Sequence, residues 1–373
     1  MGVGLKMLAL QETKISEPTC NVMEPRTAYC EINNRDVRVD GNLSSVFVVS
    51  SQKENMLATG NSSCTIRPYA RKDDQSAISI IRKWSVKQVR TSNHQESIPQ
   101  CTRNHSVPSM LFSIGGYTLN QYHDFADVLI PLYITSQKYN GEVQFLITDK
   151  RTWWIQKFQE ILKGLSKYEL IDIDKGLEQI HCFPSLTVGL KTSRKEMTFD
   201  PSKYSYSMKD FREFLRTTYS LKRANAIRIR DKDHQHKKPW ILIISRNRTR
   251  SFTNTGEITQ MARDLGYKVR VAEADMNVSK FANVVNSCDV MMGVHGAGLT
   301  NILFLPKNAI FIQIIPVGSN IYRLDHAVFA DPDSIGKQGW KAYKSIYLNK
   351  QNVKLNVTRF KPTLLKALEL LHQ

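Results

Sequence analysis

Residues 240 to 315 alternate between short apolar runs and amphipathic segments, and this alternation constrains the fold more than any other feature of the chain. The apolar runs are Trp240–Ser245, Lys268–Glu273, Asp289–Val294 and Ala309–Ile315. The segment Asn254–Leu265 repeats its apolar residues at helical spacing and ends before Gly266, a helix stop signal. A second helical stripe follows the second run, and a third helix begins at Leu299. Four strands alternating with three helices predict a parallel, Rossmann-like sheet.

The first half of the chain carries a weaker form of the same alternation. Val143–Thr148 is typical of a buried strand, Trp153–Ser166 of a helix and Tyr168–Ile173 of a second strand. The basic segment Ala224–Lys238 indicates a linker between two domains. We therefore expect an α/β protein with a polar lead-in over residues 1–44 and two Rossmann-like domains over 45–235 and 236–373.

Composition narrows the class of protein. Of 373 residues, 41% are hydrophobic, which excludes a disordered chain, a collagen and a coiled coil. Lys and Arg number 52 against 34 Asp and Glu, and the net charge of +18 favours anionic ligands. The sequence has no zinc-finger spacing, no RNP-type aromatic motif and no basic tail, so we do not expect a nucleic-acid partner.

Cysteines and glycosylation sequons bear on the compartment. Six cysteines lack a CxxC pair, so neither a zinc site nor a thioredoxin-like motif is predicted, while their even number permits disulfides. Six Asn-x-Ser/Thr sequons favour a secretory-pathway lumen. They begin at Asn42, Asn61, Asn104, Asn247, Asn277 and Asn356. No window reaches the ~18 to 20 apolar residues of a membrane span, so for a luminal protein we expect the targeting segment to be missing from this chain.

The segment Gly293–Asn301 is a glycine-rich turn between a predicted strand and a predicted helix. Backbone N–H groups in such a turn face an anion, and the helix dipole adds positive charge, so a diphosphate is the expected ligand. The segment matches neither the dinucleotide nor the Walker pattern, and a purely structural turn is the alternative. The candidate binding residues are His295, Gly296, Ala297, Gly298, Leu299 and Asn301.

A cationic loop follows the first strand of the second half. Arg246, Arg248 and Arg250 would supply fork-shaped donors to phosphate oxygens, and Asn247 lies among them. Ligands in open α/β sheets collect at the carboxyl ends of strands, where this loop is expected. The alternative is a set of solvent-exposed arginines.

The third candidate lies in the first half, where Asn120–Asp127 holds one histidine and two carboxylates. On a helix His123 and Asp127 share a face, whereas Asp124 is turned about 100° away. A group held there would remove a proton from a hydroxyl, with Asp127 our first choice and His123 and Asp124 next. A capped helix with solvent-facing charges is the alternative.

Taken together, these motifs resemble plant glycosyltransferase family 61, from about Ile66 to the C-terminus. The phrases that carry the resemblance are Ile66–Arg71, Asn120–Pro131, Ile180–Pro184, Ser207–Arg212, Ile244–Arg250, Cys288–Pro306 and Gly339–Leu371. The most specific of them is Gly293–Asn301. The xylan-directed branch is more similar than the branch that acts on N-glycans.

The resemblance implies a GT-B enzyme of the Golgi lumen whose two domains face a cleft, with the acceptor side in the N-terminal domain and the nucleotide-sugar site in the C-terminal one. Such an enzyme moves arabinofuranose or xylose from a UDP-sugar to a xylan-type acceptor, inverting the anomeric centre without a metal or other cofactor. The letters Asp172-Ile-Asp174 are interpreted as a strand-end turn rather than a metal motif.

Two departures from the family pattern keep alternatives open. The interval after Gly318 is short, and the membrane anchor of the family's type II proteins is missing from this chain. The alternatives are a glycan- or nucleotide-sugar-binding homologue without turnover, acting in a Golgi enzyme complex, and an N-glycan β-1,2-xylosyltransferase.

Overall fold

A computed structural model describes residues 18–50, 63–90, 98–176, 178–229, 237–274, 276–316, 341 and 344–372. The chain divides into two compact units. The first contains the described residues up to Leu119 together with His123–Met208, and the second contains Asn120–Tyr122 and the described residues from Lys209 onward. The boundary therefore falls at Met208, upstream of the expected one at residue 235.

The segment expected to be an interdomain linker is packed onto the second unit over its described part. The backbone N–H of Ala226 donates to the carbonyl of Lys307, and that of Ile229 donates to the carbonyl of Leu371. The basic composition of this segment suggested a linker, because hydrogen bonds between backbone groups leave no pattern in the side chains. Residues 230–236 lie outside the described residues.

Two six-stranded sheets form the described part of the first unit. Their strands are β1 Thr19–Asn21, β2 Tyr29–Ile32, β3 Asp36–Asp40, β4 Ser45–Ser50, β5 Ser63–Ile66, β6 Trp84–Arg90, β7 Arg103–Asn104, β8 Ser109–Ser113, β9 Gln144–Thr148, β10 Ile171–Asp172, β11 Ile180–Phe183 and β12 Leu186–Val188. The sheet orders are β1-β2-β12-β8-β9-β10 and β5-β6-β4-β3-β11-β7. The helices are α1 Gln75–Ile78, α2 Gln121–His123, of which His123 alone belongs to this unit, α3 Ile130–Ser136 and α4 Thr152–Leu165.

The predicted alternation in the first half is confirmed. Strands β12, β8, β9 and β10 run parallel, and α4 follows β9. Strands β8 and β9 are buried at every position, which explains their continuous apolar character. The predicted first core strand, Ser45–Ser50, is β4.

The prediction of a loosely ordered lead-in over residues 1–44 is wrong from Thr19 onward. Strands β1 to β3 lie in this stretch, and Ile32, Val37 and Val39 are fully buried in the core of the unit. The prediction failed because each strand is only three to five residues long, too short to show periodicity. Residues 1–17 lie outside the described residues.

The second unit is built on one parallel sheet in the order β14-β13-β15-β16. Its strands are β13 Trp240–Ile244, β14 Lys268–Ala272, β15 Val290–Val294 and β16 Ile310–Ile314. Its helices are α5 Met208–Thr218, which begins at the last residue of the first unit, α6 Thr255–Asp264, α7 Val278–Asn286 and α8 Val357–Leu371. A 3₁₀ helix covers Ala297–Phe304 and a π-helix covers Lys344–Leu348.

The four predicted strands and first two predicted helices of this unit are confirmed, and the third helix is 3₁₀ rather than α. The chain leaves the central strand β13 towards β14 on one side and crosses to β15 on the other, so the sheet has a switch point between β13 and β15. The carboxyl ends of strands at such a point are the usual ligand-binding position of an open α/β sheet.

Two disulfides join Cys20 to Cys30 and Cys101 to Cys182, while Cys64 and Cys288 are buried thiols. Such bonds persist in oxidising compartments. Five of the six sequon asparagines are exposed, and Asn61 lies outside the described residues. Among the described residues no helix combines the length and apolar character needed to cross a bilayer.

Candidate active site

A π-helical turn, Asp124–Leu129, joins α2 to α3 and carries Asp124 and Asp127, while His123 immediately precedes it. His123 Nδ1 lies 2.9 Å from Asp127 Oδ2, so the predicted shared face is confirmed. The His123 side chain keeps 17% of its surface exposed, whereas that of Asp127 has none. Turns of this kind inside α-helices are frequent at functional sites.

Asp127 is surrounded by donors. Arg26 Nη2 donates to its Oδ1 over 3.2 Å, the Tyr69 hydroxyl donates to its Oδ2 over 3.0 Å, and Arg71 Nε lies 3.5 Å from Oδ2. Glu196 balances the charge, pairing with Arg71 and lying 3.6 Å from Arg26. The carboxylate is thus held in a fixed position without contact with solvent.

This geometry assigns different tasks to the two residues than the sequence suggested. Because Nδ1 of His123 faces a carboxylate, the neutral ring carries its proton there and Nε2 is its basic nitrogen. Asp127 has no exposed surface, which argues against its expected role as the base, and its contact with Nδ1 fixes the orientation of the His123 ring.

Asp124, the third candidate base, is also fully buried and belongs to a separate contact. Its Oδ1 accepts from Trp154 Nε1 over 2.9 Å, and Lys157 Nζ lies 3.1 Å from Oδ2. Burial raises the pKa of this carboxyl above its ordinary value, against the opposing effect of Lys157. Asp124 anchors the π-helical turn to α4 and is not placed for proton transfer, which corrects the sequence expectation.

The second candidate site lies in the second unit, at the carboxyl ends of β13 and β15. Gly296 adopts φ +153°, a conformation essentially confined to glycine. A Cβ added there would collide with Nη1 of Arg246 and come within 2.8 Å of Nη1 of Arg250. Two guanidinium groups therefore meet over this glycine. Their positions are fixed by backbone acceptors, because Arg246 Nε donates to the Thr249 carbonyl over 2.8 Å and Arg250 Nη1 donates to the His295 carbonyl over 2.9 Å.

His295 adds a neutral ring beside the guanidinium pair. Its Nδ1 contacts the amide nitrogen of Gln313, which places the ring proton on Nε2. Burial, together with the charges of Arg250 and Arg246, holds the pKa of His295 below its ordinary value. Burial and the charge of Arg250 likewise lower the pKa of Arg246. The group is an electropositive site that an anion would stabilise.

The remaining predicted residues of the glycine-rich turn and the cationic loop have other surroundings. Leu299 and Asn301 are buried, and the Asn301 amide donates to the Gly298 carbonyl over 2.8 Å, which braces the turn that begins at Ala297. Asn247 and Arg248 are exposed, and the Asn247 backbone N–H donates to Glu273. The structure does not bring the side chains of these residues to the guanidinium pair.

Comparison with known proteins places these two sites in a family. Residues 122–312 match the sequence model of the family described as Glycosyltransferase 61. The chain is 40% identical to an alpha-1,3-arabinosyltransferase of Oryza sativa subsp. japonica, with 96% of this chain and 65% of the relative covered. It is 38% identical to a beta-1,2-xylosyltransferase of the same plant, with 96% and 85% covered. A xylan glycosyltransferase of Arabidopsis thaliana is 34% identical, with 96% and 81% covered.

The chain belongs to glycosyltransferase family 61. The predicted resemblance is confirmed, and the matched region begins next to His123 and ends within β16. It therefore includes most of both candidate sites. The partners outside it are Arg26, Tyr69 and Arg71 around Asp127, and Gln313 and Tyr347 beside His295. The chain spans 65% of the length of the rice arabinosyltransferase.

Several residues of this family 61 chain were missed as site residues by the sequence analysis. Arg26 and Glu196 carry no local signal, while Tyr69 and Arg71 lie in a phrase that marked the family without suggesting a role. In the second unit, the ring of Tyr347 packs 6.2 Å from His295 and 6.0 Å from the guanidinium carbon of Arg250, measured to the ring centroid.

Among the described residues, two clusters hold enough cysteine or acidic groups for a metal ion, but each contains a disulfide pair, whose sulfurs are not thiolates. Asp172 ends β10 and pairs with Lys150, and Asp174 accepts from Arg82 and Thr148, which agrees with a strand-end turn. Metal independence stays a prediction.

Proposed function

We propose that this chain transfers a pentose, arabinofuranose or xylose, from a UDP-sugar to a xylan-type acceptor. The observation that carries the proposal is the meeting of Arg246 and Arg250 over Gly296, beside a neutral His295. Guanidinium pairs match diphosphate oxygens, and the site lies where open α/β sheets bind ligands. The relatives' names supply the pentose and the xylan, and they favour a xylan acceptor over an N-glycan.

In this proposal the reaction is a single displacement. The acceptor hydroxyl attacks the anomeric carbon and loses its proton to Nε2 of His123, while the bond from that carbon to the UDP oxygen breaks. Asp127 stabilises the resulting imidazolium across the 2.9 Å contact. Attack from the side opposite the leaving group inverts the anomeric centre. In the second unit, the arginines neutralise the negative charge that develops on UDP and His295 Nε2 donates a hydrogen bond to it, without requiring a metal or other cofactor.

The fold type and the location belong to the same proposal. The parallel sheet of the second unit supports a nucleotide-sugar-binding domain of GT-B type, and the first unit would be the acceptor domain of such an enzyme. Two disulfides and five exposed sequons support residence in the Golgi lumen, where the enzyme would belong to a biosynthetic complex.

Calorimetric titration with UDP, in the presence of chelator and at fixed salt, tests the donor site. We expect the wild-type chain to bind UDP and the substitutions Arg246→Ala, Arg250→Ala and His295→Ala each to weaken binding. Lys280→Gln is the matched control. Lys280 is an exposed residue of α7, and its substitution removes one positive charge without changing the site. A folded wild-type chain that does not bind UDP would refute the proposal.

Transfer is then measured with UDP-arabinofuranose and UDP-xylose on neutral xylo-oligosaccharides. We expect His123→Ala to abolish transfer while leaving UDP affinity unchanged. In this proposal His123 acts on the acceptor hydroxyl, whereas the arginine pair and His295 bind UDP. A chain that binds UDP but transfers neither pentose would show that nucleotide binding is correctly assigned and that the reaction is not.

A further inference from the structure

The second unit contains a cavity of about 340 Å³ that the proposed reaction does not use. It is lined by α5, by Leu221, Arg223, Ala224 and Asn286, and by residues 303–308. These last segments precede β15 and β16, so the cavity lies at the amino ends of the parallel strands. His295 and Gly296 follow the carboxyl end of β15, and the cavity is therefore at the opposite edge of the sheet from the guanidinium pair.

The lining of the cavity is strongly cationic. Its described residues include five basic side chains and one carboxylate, Glu213. The basic side chains are Lys209, Arg212, Arg216, Arg223 and Lys307. Arg216 pairs with Glu213, and Arg223 pairs with Asp289, so these two charges are balanced inside the protein.

Arg212 and Lys307 supply positive charge that the lining does not balance. The half-buried Arg212 guanidinium donates to the main-chain carbonyls of Leu303 and Leu305, which fix its position without neutralising it. Burial lowers its pKa, as expected for a guanidinium desolvated beside backbone oxygens rather than a carboxylate. Lys307 lines the cavity and is exposed.

The wall between these cations is apolar. Leu221, Leu303, Leu305 and Pro306 all line the cavity and are largely buried. The described lining holds one aromatic residue, Phe304, whose ring packs edge-on against Tyr219 in the interior and is 1% exposed. A nucleotide base would have no aromatic face to stack on. A sugar offers both an apolar C–H face and polar oxygens, and it fits this mixture of surfaces.

We propose that the cavity binds a uronate, a sugar carrying a carboxylate, within the acceptor polysaccharide. The inference rests on the proposed function, because a polymeric acceptor presents further sugars beyond the one that reacts. The carboxylate would contact Arg212 and Lys307, and the C–H face of the ring would pack on Leu303 and Pro306. The site would thus select acidic regions of the polymer without taking part in the chemistry.

Binding of two matched probes tests this assignment. One is a xylo-oligosaccharide with a glucuronate branch, and the other is the same backbone without the branch, both titrated at fixed salt. We expect the wild-type chain to bind the branched probe roughly tenfold more tightly, the effect of one hydrogen-bonded charge. Lys307→Gln should remove most of this preference and Lys307→Arg should retain it. Arg212→Gln, checked for an unchanged melting temperature, should remove it as well.

Lys280→Gln is again the control for net charge. An equal loss of preference in this variant, or a preference that survives both Lys307→Gln and Arg212→Gln, would overturn the proposal. Displacement of the branched probe by inorganic phosphate at similar concentration would also overturn it, because it would show an anion site without sugar selectivity.

The same variants separate this proposal from the proposed function. If Lys307→Gln loses the preference while the wild-type chain transfers no pentose, the cavity is a uronate site and the assigned reaction is wrong. If transfer to neutral oligosaccharides is normal and the wild-type chain shows no preference for the branched probe, the reaction stands and the cavity assignment is wrong.

Discussion

The substitution Gly296→Ala tests whether the glycine exists to bring two guanidinium groups together. An alanine at φ +153° and ψ 175° occupies a region essentially closed to residues with a Cβ, at a cost of roughly 1–3 kcal/mol. The same Cβ would displace Nη1 of Arg246 and crowd that of Arg250. Losing one charge-assisted hydrogen bond to the diphosphate costs about 1.5–3 kcal/mol, so UDP affinity should fall roughly ten- to hundredfold.

Titration calorimetry measures the UDP affinity, and thermal unfolding measures the stability of the same samples. Gly256→Ala is the matched control, because a Cβ on this glycine of α6 meets no atom within 4 Å. It should leave UDP affinity unchanged and raise the free energy of unfolding by about 0.4–1 kcal/mol. If Gly296→Ala binds UDP as tightly as the wild type, the guanidinium pair is not the diphosphate site.

Three further predictions follow from the first unit. Asp127→Asn should lower kcat by roughly 10² to 10⁴ with little change in KM for the UDP-sugar, because His123 loses its tautomer and its counter-charge; an unchanged kcat would contradict the assigned roles. Burial beside His105 and Arg103 lowers the pKa of His181 to about 4, so the folded state resists protonation. The free energy of unfolding should reach its maximum above pH 6.5 and fall by about 2–3 kcal/mol as the pH drops to 4. Denaturant titrations of His181→Gln should show a smaller dependence of the free energy of unfolding on pH. Replacing both Cys101 and Cys182 by alanine opens a link between residues 81 positions apart and should lower the free energy of unfolding by about 4 kcal/mol, measured against the oxidised wild type; a loss below 1 kcal/mol would contradict this.

The second unit was predictable because its signals are local. Each strand of a parallel sheet is buried on both faces and shows as a continuous apolar run, so the predicted Asp289–Val294 differs from β15 by one residue. The helix predicted over Asn254–Leu265 is α6, with one residue fewer at each end. The third helix escaped prediction as a 3₁₀ helix, because its apolar composition fits either form.

The candidate sites divide in the same way. His123 and Asp127 were found together because four residues along a helix bring side chains into contact. Arg26 and Tyr69 approach Asp127 from 101 and 58 positions away, and a single sequence holds no periodicity that links such distant residues. Without them, the sequence does not indicate that Asp127 is buried, and it therefore does not distinguish Asp127 from His123 as the proton acceptor.

The surroundings of Asp127 also argue that the His123 contact was kept for chemistry rather than stability. Moving a carboxylate and two arginines out of water costs several kcal/mol per ion, and their attraction often fails to exceed that cost. Apolar side chains in place of Arg26, Arg71 and Asp127 together would fill the same interior without that cost. Such a replacement, however, would leave Nδ1 of His123 without an acceptor and the protonated ring without a counter-charge. The buried charges are thus explained by the proposed mechanism, in which they orient one partly exposed imidazole and balance its charge.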